Sequence, residues 1–286
     1  MKRPDGRTAQ RPPAKCITAL GMHRSGTSAV SLSLRVFGAR HGENLVGGLS
    51  SNPKGHWEDI DVLRLNERML TSINASWDRV AQVTARDVQN LAENGFVEAA
   101  AALLRSKISA TGFYALKDPR MTKLLPFWHR AFEAVPARPF VVFVFRNPAS
   151  VAASLYKRDK LPLPHGYLLW ASHMLECFCH ARHFAHIFIN YDAFIDNPGE
   201  GIAAIADCFR LPVDKAEFAL LERDFLDKKL RHTKFDAGYL YTDAHCPPGV
   251  ALAYERMLRI PPDGRPSVGD CLELTRILRV CLAKWK

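Results

Sequence analysis

Hydrophobic positions along the chain fall into two alternating kinds of run. Short continuous apolar stretches, rich in β-branched and aromatic residues, read as strands over Cys16–Leu20, Tyr114–Leu116, Phe140–Phe145 and His186–Asn190. Longer segments of mixed polarity read as helices over Ser25–Phe37, Ala149–Lys157, Tyr167–His183, Pro198–Phe209, Lys215–Leu230 and Cys271–Lys284. A loop runs to Trp57, and helices cover much of Ile60–Ser109 with a break near Ala75–Trp77. Strands alternating with helices predict an α/β fold, a parallel sheet flanked by helices on both faces with ligands at the strands' carboxyl ends. Gly238 reads as a hinge, and Pro247-Pro248-Gly249 and Pro261-Pro262-Asp263-Gly264 as loops, so 235–268 is expected to be a lid or surface excursion. No internal repeat interrupts this order.

The first strand breaks into Gly21-Met22-His23-Arg24-Ser25-Gly26-Thr27-Ser28 before a helix begins. A strand, a tight loop and a helix start make an anion cradle, because backbone N–H groups converge there. Gly21 and Gly26 have the spacing of a nucleotide-triphosphate P-loop, but Thr27 stands where the lysine belongs and the strong cation is Arg24, inside the loop. Without that lysine the loop is poorly equipped for ATP or GTP. Arg24 with Ser25, Thr27 and Ser28 suits a diphosphate-like group of lower charge. The alternative is a turn with a Ser/Thr helix cap.

The third strand ends in Arg146-Asn147-Pro148, where Asn147 reads as a cap and Pro148 as the first helical residue. Arg146 then lies at a strand's carboxyl end, and Ser154 about two turns into the helix. An arginine and a hydroxyl converging there would hold a second anion; otherwise Arg146 is a loop cation and Ser154 one small residue of an alanine-rich helix.

These two motifs, in this order and at the ends of apolar strands, resemble those of sulfotransferases that use 3′-phosphoadenosine 5′-phosphosulfate, in particular the bacterial and carbohydrate-directed members. The resemblance extends loosely from about Lys15 to His232 and implies the sulfotransferase fold, a P-loop-like parallel sheet. It implies that Arg24 stabilises the bridging oxygen of the departing sulfuryl group. Ser25, Gly26, Thr27 and Ser28 would wrap the 5′-phosphate, with Gly21 and His23 in the same donor-binding loop. Arg146 and Ser154 would bind the 3′-phosphate, and Tyr191 matches a strand-end tyrosine near the adenine, or else is a half-buried aromatic. Ser150 stands where many relatives have aspartate. The donor is then a co-substrate, and no metal is required, because a sulfuryl group bears one formal negative charge where a phosphoryl bears two.

A hydroxyl acceptor loses its proton as it attacks sulfur, so a carboxylate or histidine is expected near the loop. His56-Trp57-Glu58-Asp59 offers three. The resemblance singles out Glu58 as base, with His56 the runner-up; the alternative makes Glu58 and Asp59 acidic N-terminal residues of the next helix. Lys117, in Leu116-Lys117-Asp118-Pro119-Arg120, is a candidate second clamp on the sulfuryl group, unless Asp118 and Arg120 merely order the loop as an ion pair. The basic run 228–234 reads as a solvated helix end.

The chain has 286 residues and a net charge of +10, which invites acidic partners. Its Lys and Arg are scattered rather than striped between aromatics, so no nucleic acid is expected, and an anionic donor accounts for part of the excess. Residues 1–15 read as a disordered basic tail and 16–286 as one domain. The tail lacks the apolar core of a signal segment, and no stretch reaches the ~18 apolar residues of a membrane span, unlike the membrane-anchored Golgi members. The seven cysteines are odd in number and mostly sit in apolar runs, which fits reduced thiols in a cytoplasmic protein. Cys177 and Cys179 share no helix face and match no zinc spacing, so no metal site is expected. The expected partner is a small-molecule or glycan acceptor, with a carbohydrate or glycolipid hydroxyl favoured. A P-loop kinase and a non-catalytic binder of phosphorylated nucleotides are the alternatives.

Overall fold

The structure, a computed structural model, describes residues 15–47, 55–224 and 234–285. The tail expected over 1–15 lies outside it except for Lys15, as do residues 48–54 and the basic run except for Lys234. The elements in chain order are β1 (Lys15–Leu20), α1 (Thr27–Ser33), α2 (Ile60–Ser72), α3 (Ala85–Glu93), α4 (Phe96–Thr111), β2 (Phe113–Leu116), α5 (Arg120–Lys123) and α6 (Leu125–Glu133). They continue with β3 (Arg138–Phe145), α7 (Pro148–Asp159), α8 (Leu163–His180), β4 (Ala185–Asn190), α9 (Tyr191–Asp196), α10 (Pro198–Phe209) and α11 (Lys215–Asp224). The last are α12 (Tyr239–Thr242), α13 (Pro248–Met257) and α14 (Val268–Ala283).

The four strands form one parallel sheet in the order β2-β1-β3-β4. Thr18 pairs with Leu116, Leu20 with Phe143, and Phe145 with Asn190. All four strands therefore end along one edge, and the segments that follow them meet there. Lys15, expected in the tail, is instead the first residue of β1, in register with Phe113 and Arg138.

Strand side chains alternate between faces, so both faces of a doubly covered sheet must be apolar. On β3, Val141, Phe143 and Phe145 join one core with residues of α4, α6, α8, α13 and α14. Phe140, Val142 and Val144 join the other, with residues of α1, α9 and α10. Helices thus flank both faces. Helix α8 is apolar nearly all round, and Leu169, Trp170 and Ala171 are fully buried in it.

Several helices depart from expectation. Helices α5 and α6 fill a stretch to which no element was assigned; Trp128 of α6 is fully buried, and its indole N–H donates to Asn66 Oδ1 (2.9 Å). Within 235–268, α13 buries Val250, Ala253 and Tyr254 against the body, and the Phe188 N–H of β4 donates to the Gly264 carbonyl (2.8 Å). The first helix starts only at Thr27 and passes after Ser33 into a 3₁₀ turn ending at Phe37.

The connection between α2 and α3 is held from beneath by polar groups. Lys123, 1 % exposed, donates from Nζ to the Ala81 carbonyl (2.9 Å) and the Arg79 carbonyl, and burial pushes its ammonium down to about 8. Ser172 Oγ donates to the Val80 carbonyl (2.9 Å) and accepts from Gln82 Nε2 (2.8 Å). Buried polar groups of this kind are tolerated because they are hydrogen-bonded.

Leu169→Ala, which opens a cavity at the centre of α8, is expected to lower the unfolding free energy by about 2–5 kcal/mol, measured by urea denaturation.

Candidate active site

The loop after β1 is shaped by left-handed backbone at Arg24 (φ 69°) and Gly26 (φ 87°). At Gly26 no side chain fits: a Cβ would lie 2.0 Å from the Tyr191 ring. The Gly21 N–H donates to Thr122 Oγ1 (3.0 Å), and the same hydroxyl donates back to the Gly21 carbonyl (3.2 Å), tying the loop's first residue to α5. The Ser25 N–H donates to the Met22 carbonyl (3.1 Å). Ser25 Oγ is buried with no protein partner, a hydroxyl available to an anion in the loop.

On one side of the loop the two sequence motifs meet. Arg24 Nε donates to Ser154 Oγ (2.8 Å), across 130 residues of chain, and Arg146 Nη1 donates to the Arg24 carbonyl (3.4 Å). Arg146 Nε lies 3.5 Å from Asp192 Oδ1, and its guanidinium stands 5.1 Å from the centre of the Tyr191 ring. The Trp170 indole N–H fixes the Arg146 carbonyl (3.0 Å), and Asn147 Oδ1 accepts the Ala149 N–H (2.8 Å) as the expected cap of α7. Arg24, Arg146, Ser154 and Tyr191 are therefore brought together. Burial, then Arg158 and Arg146, pull the Arg24 guanidinium below its ordinary value. The Tyr191 ring itself packs on the loop backbone at Gly26.

On the other side stand Glu58 and Lys117. Lys117, in the segment after β2 and 2 % exposed, donates from Nζ to Glu58 Oε1 (2.6 Å), the His56 carbonyl (3.1 Å) and Ser28 Oγ (3.4 Å). Burial raises the Glu58 carboxyl, but Lys117 bonded to it and Arg120 beyond it outweigh this and hold it below the ordinary carboxylate range. Arg120 Nη1 lies 3.6 Å from Glu58 Oε2 and 2.9 Å from Asp118 Oδ1, so the Asp118–Arg120 ion pair weighed as the alternative is present beside Lys117. Asp118 is anchored in turn by Asn66 Nδ2 (2.9 Å). Asp59 takes the helix-cap role, accepting the Asp61 N–H (3.0 Å), and is tied to Lys107 (2.8 Å) and Tyr114 Oη (2.9 Å). Glu58, its neighbour, is turned inward to Lys117.

Two histidines lie beside this cluster. His56 presents its carbonyl to Ser28 Oγ (3.3 Å) and to Lys117, while its ring is pulled below its ordinary value mainly by burial. His23 is buried and held neutral, well below 6.5, by burial and then by Arg120 and Arg158. Its ring lies 4.5 Å from that of Trp77, whose face Arg158 covers at 5.5 Å.

Arg120, Thr122, Asp192, Trp77 and Arg158 did not stand out as site residues in the sequence. Arg158 follows Ser154 by one helical turn, a spacing that places both on one face of α7. Thr122 and Trp77 carry no local signal. A cavity of about 760 Å³ lies elsewhere, along β4 beside α10 and 257–265, and Arg24, Glu58, Lys117, Arg146 and Ser154 do not line it. Among the described residues no three His, Cys, Asp or Glu side chains converge as a metal site, and no helix is long and apolar enough to cross a membrane.

No protein-family model and no curated protein sequence matches the chain. Among solved structures it is similar to the sulfotransferase domain of the olefin synthase of Synechococcus PCC 7002, at 16 % identity and a TM-score of 0.49, covering 94 % of this chain and 98 % of that one. It is also similar to the sulfotransferase domain of the curacin biosynthetic pathway, at 13 % identity and a TM-score of 0.45, with the same coverage.

Gly26→Ala is expected to cost at least about 1 kcal/mol of stability, since alanine is strained at positive φ and meets Tyr191, read by urea denaturation. The Glu58 carboxyl is depressed in the folded state. Its pair with Lys117 therefore stabilises fully above the unfolded carboxyl's value, and that stability is lost as pH falls through the folded value. The stability gap between wild type and Glu58→Gln should narrow from neutral pH to about pH 3.

Proposed function

We propose that the chain is a sulfotransferase that moves a sulfuryl group from 3′-phosphoadenosine 5′-phosphosulfate to an acceptor hydroxyl. The observation that carries this reading is the meeting of Arg24, Arg146 and Ser154 beside a glycine-bracketed loop that lacks the triphosphate lysine. One cation inside the loop and a second with a hydroxyl next to it suit a nucleotide with anions at both its 5′ and 3′ positions. The unpartnered Ser25 hydroxyl and the close backbone at Gly26 fit the 5′-phosphate.

The donor supplies an activated sulfuryl group on its 5′-phosphate. Ser25, Thr27, Ser28 and the amides of the loop hold that phosphate, and Arg146 and Ser154 hold the 3′-phosphate. Glu58 accepts the acceptor's hydroxyl proton as the new S–O bond forms. The bond to the bridging oxygen breaks with its electron pair, and Arg24 stabilises the charge left there. Lys117, at the rim of the loop, steadies the sulfuryl oxygens. Glu58 is favoured over His56 because its carboxylate lies against the lysine assigned to the sulfuryl oxygens, whereas only the backbone carbonyl of His56 is placed there. The low charge of the sulfuryl group makes the transfer metal-independent. A carbohydrate or glycolipid hydroxyl is the acceptor class that the sequence resemblance implies, and the free thiols fit a cytoplasmic setting.

Thermal shift with 3′-phosphoadenosine 5′-phosphate, ADP and ATP, each with and without Mg²⁺, tests the reading. Stabilisation by the 3′-phosphorylated nucleotide alone, unaffected by Mg²⁺, supports it, and a preference for ATP with Mg²⁺ refutes it. Arg24→Ala and Glu58→Ala are expected to fold and to lose ~10²–10³ in turnover, assayed as transfer of labelled sulfate.

A further inference from the structure

The two residues given separate tasks above are bonded to each other. Lys117 Nζ sits 2.6 Å from Glu58 Oε1, so the assigned base has one oxygen occupied by an ammonium. Both side chains are nearly inaccessible, 2 % and 8 % exposed, and water does little to loosen the pair. A carboxylate in this state is a poor base: burial raises it, yet the cations more than cancel that, and it is held below its ordinary range. The same ammonium lies 3.4 Å from Ser28 Oγ, in the loop assigned to the 5′-phosphate. It therefore stands between a carboxylate and the place where the donor's anions arrive.

We infer that the Lys117–Glu58 pair is a donor-sensitive latch, in which Lys117 masks Glu58 until phosphate and sulfuryl oxygens in the loop draw the ammonium to themselves. The inference rests on the sulfotransferase reading and adds regulation of the same site. Donor and Glu58 compete for one cation. Donor binding lengthens the ion pair, raises the carboxylate's basicity and so ties base activation to a loaded loop. Arg120 stays on Asp118 and beside Glu58 Oε2, which keeps the carboxylate oriented when Lys117 leaves. The competition is reciprocal: the factor by which bound nucleotide weakens the pair is the factor by which the intact pair weakens nucleotide binding.

The test is calorimetric titration of the full chain with 3′-phosphoadenosine 5′-phosphate, in wild type, Glu58→Gln, Lys117→Met and the double variant. Glu58→Gln is expected to bind about fivefold or more tightly than wild type, the lower end of typical coupling between sites. Lys117→Met should bind more weakly, and in its background Glu58→Gln should no longer tighten binding. Should Glu58→Gln fail to fold, Glu58→Ala replaces it with the same expectation. Unchanged or weaker binding by the Glu58 variant overturns the latch, as does equal tightening without Lys117, and either leaves the sulfotransferase reading standing. Absence of binding by the wild type overturns that reading, and the latch with it.

Discussion

The site depends on the parallel pairing of β1 with β2 on one side and β3 on the other. Because β1 is central, the segments after Leu20, Leu116 and Phe145 leave the sheet side by side. That places the glycine-bracketed loop between Lys117 and Arg146, although these are 29 positions apart in sequence and at least 89 from the loop. Both faces of the sheet are sealed by apolar helices, so polar chemistry is confined to the edge where the strands end. Thr122 then closes the first residue of the loop and Tyr191 packs on its second glycine, so that the loop is held at both ends.

Charge is arranged around this edge in pairs rather than as a uniform basic surface. Arg146 is balanced by Asp192, Arg120 by Asp118 and Lys117 by Glu58. Buried charges need such partners, because removing one leaves the other uncompensated in a medium that solvates it poorly. The histidines respond in the opposite sense: surrounded by cations and out of water, His23 stays neutral. An arriving polyanion therefore meets cations already in position, and its binding exchanges one set of ion pairs for another. This is the physical basis of the inferred link between nucleotide affinity and the state of Glu58.

Features carried by short segments were legible in the sequence. The strands appeared as continuous apolar runs because both faces of the sheet are buried, and the loop and the Arg146–Ser154 spacing are local patterns. What could not be read depends on contacts between distant positions. Thr122 meets Gly21 across 101 residues, and Lys117 meets Glu58 across 59. Helix α13 was obscured for another reason. The prolines and glycines of 235–268 suggested loops, yet Pro248 opens α13, where its missing N–H and fixed φ are compatible with a helix. Helix α6 likewise carries proline in its first turn and buries Phe127 and Trp128.

The sulfotransferase reading requires one edge of the sheet to hold a nucleotide by its 5′ and 3′ anions at once. A crystal structure of the protein with 3′-phosphoadenosine 5′-phosphate tests it most directly. The 5′-phosphate is expected against the amides and hydroxyls of Ser25 to Ser28, with the 3′-phosphate between Arg146 and Ser154. A nucleotide bound in the cavity beside β4, or lying in the loop with its 3′-phosphate away from Arg146, would contradict it.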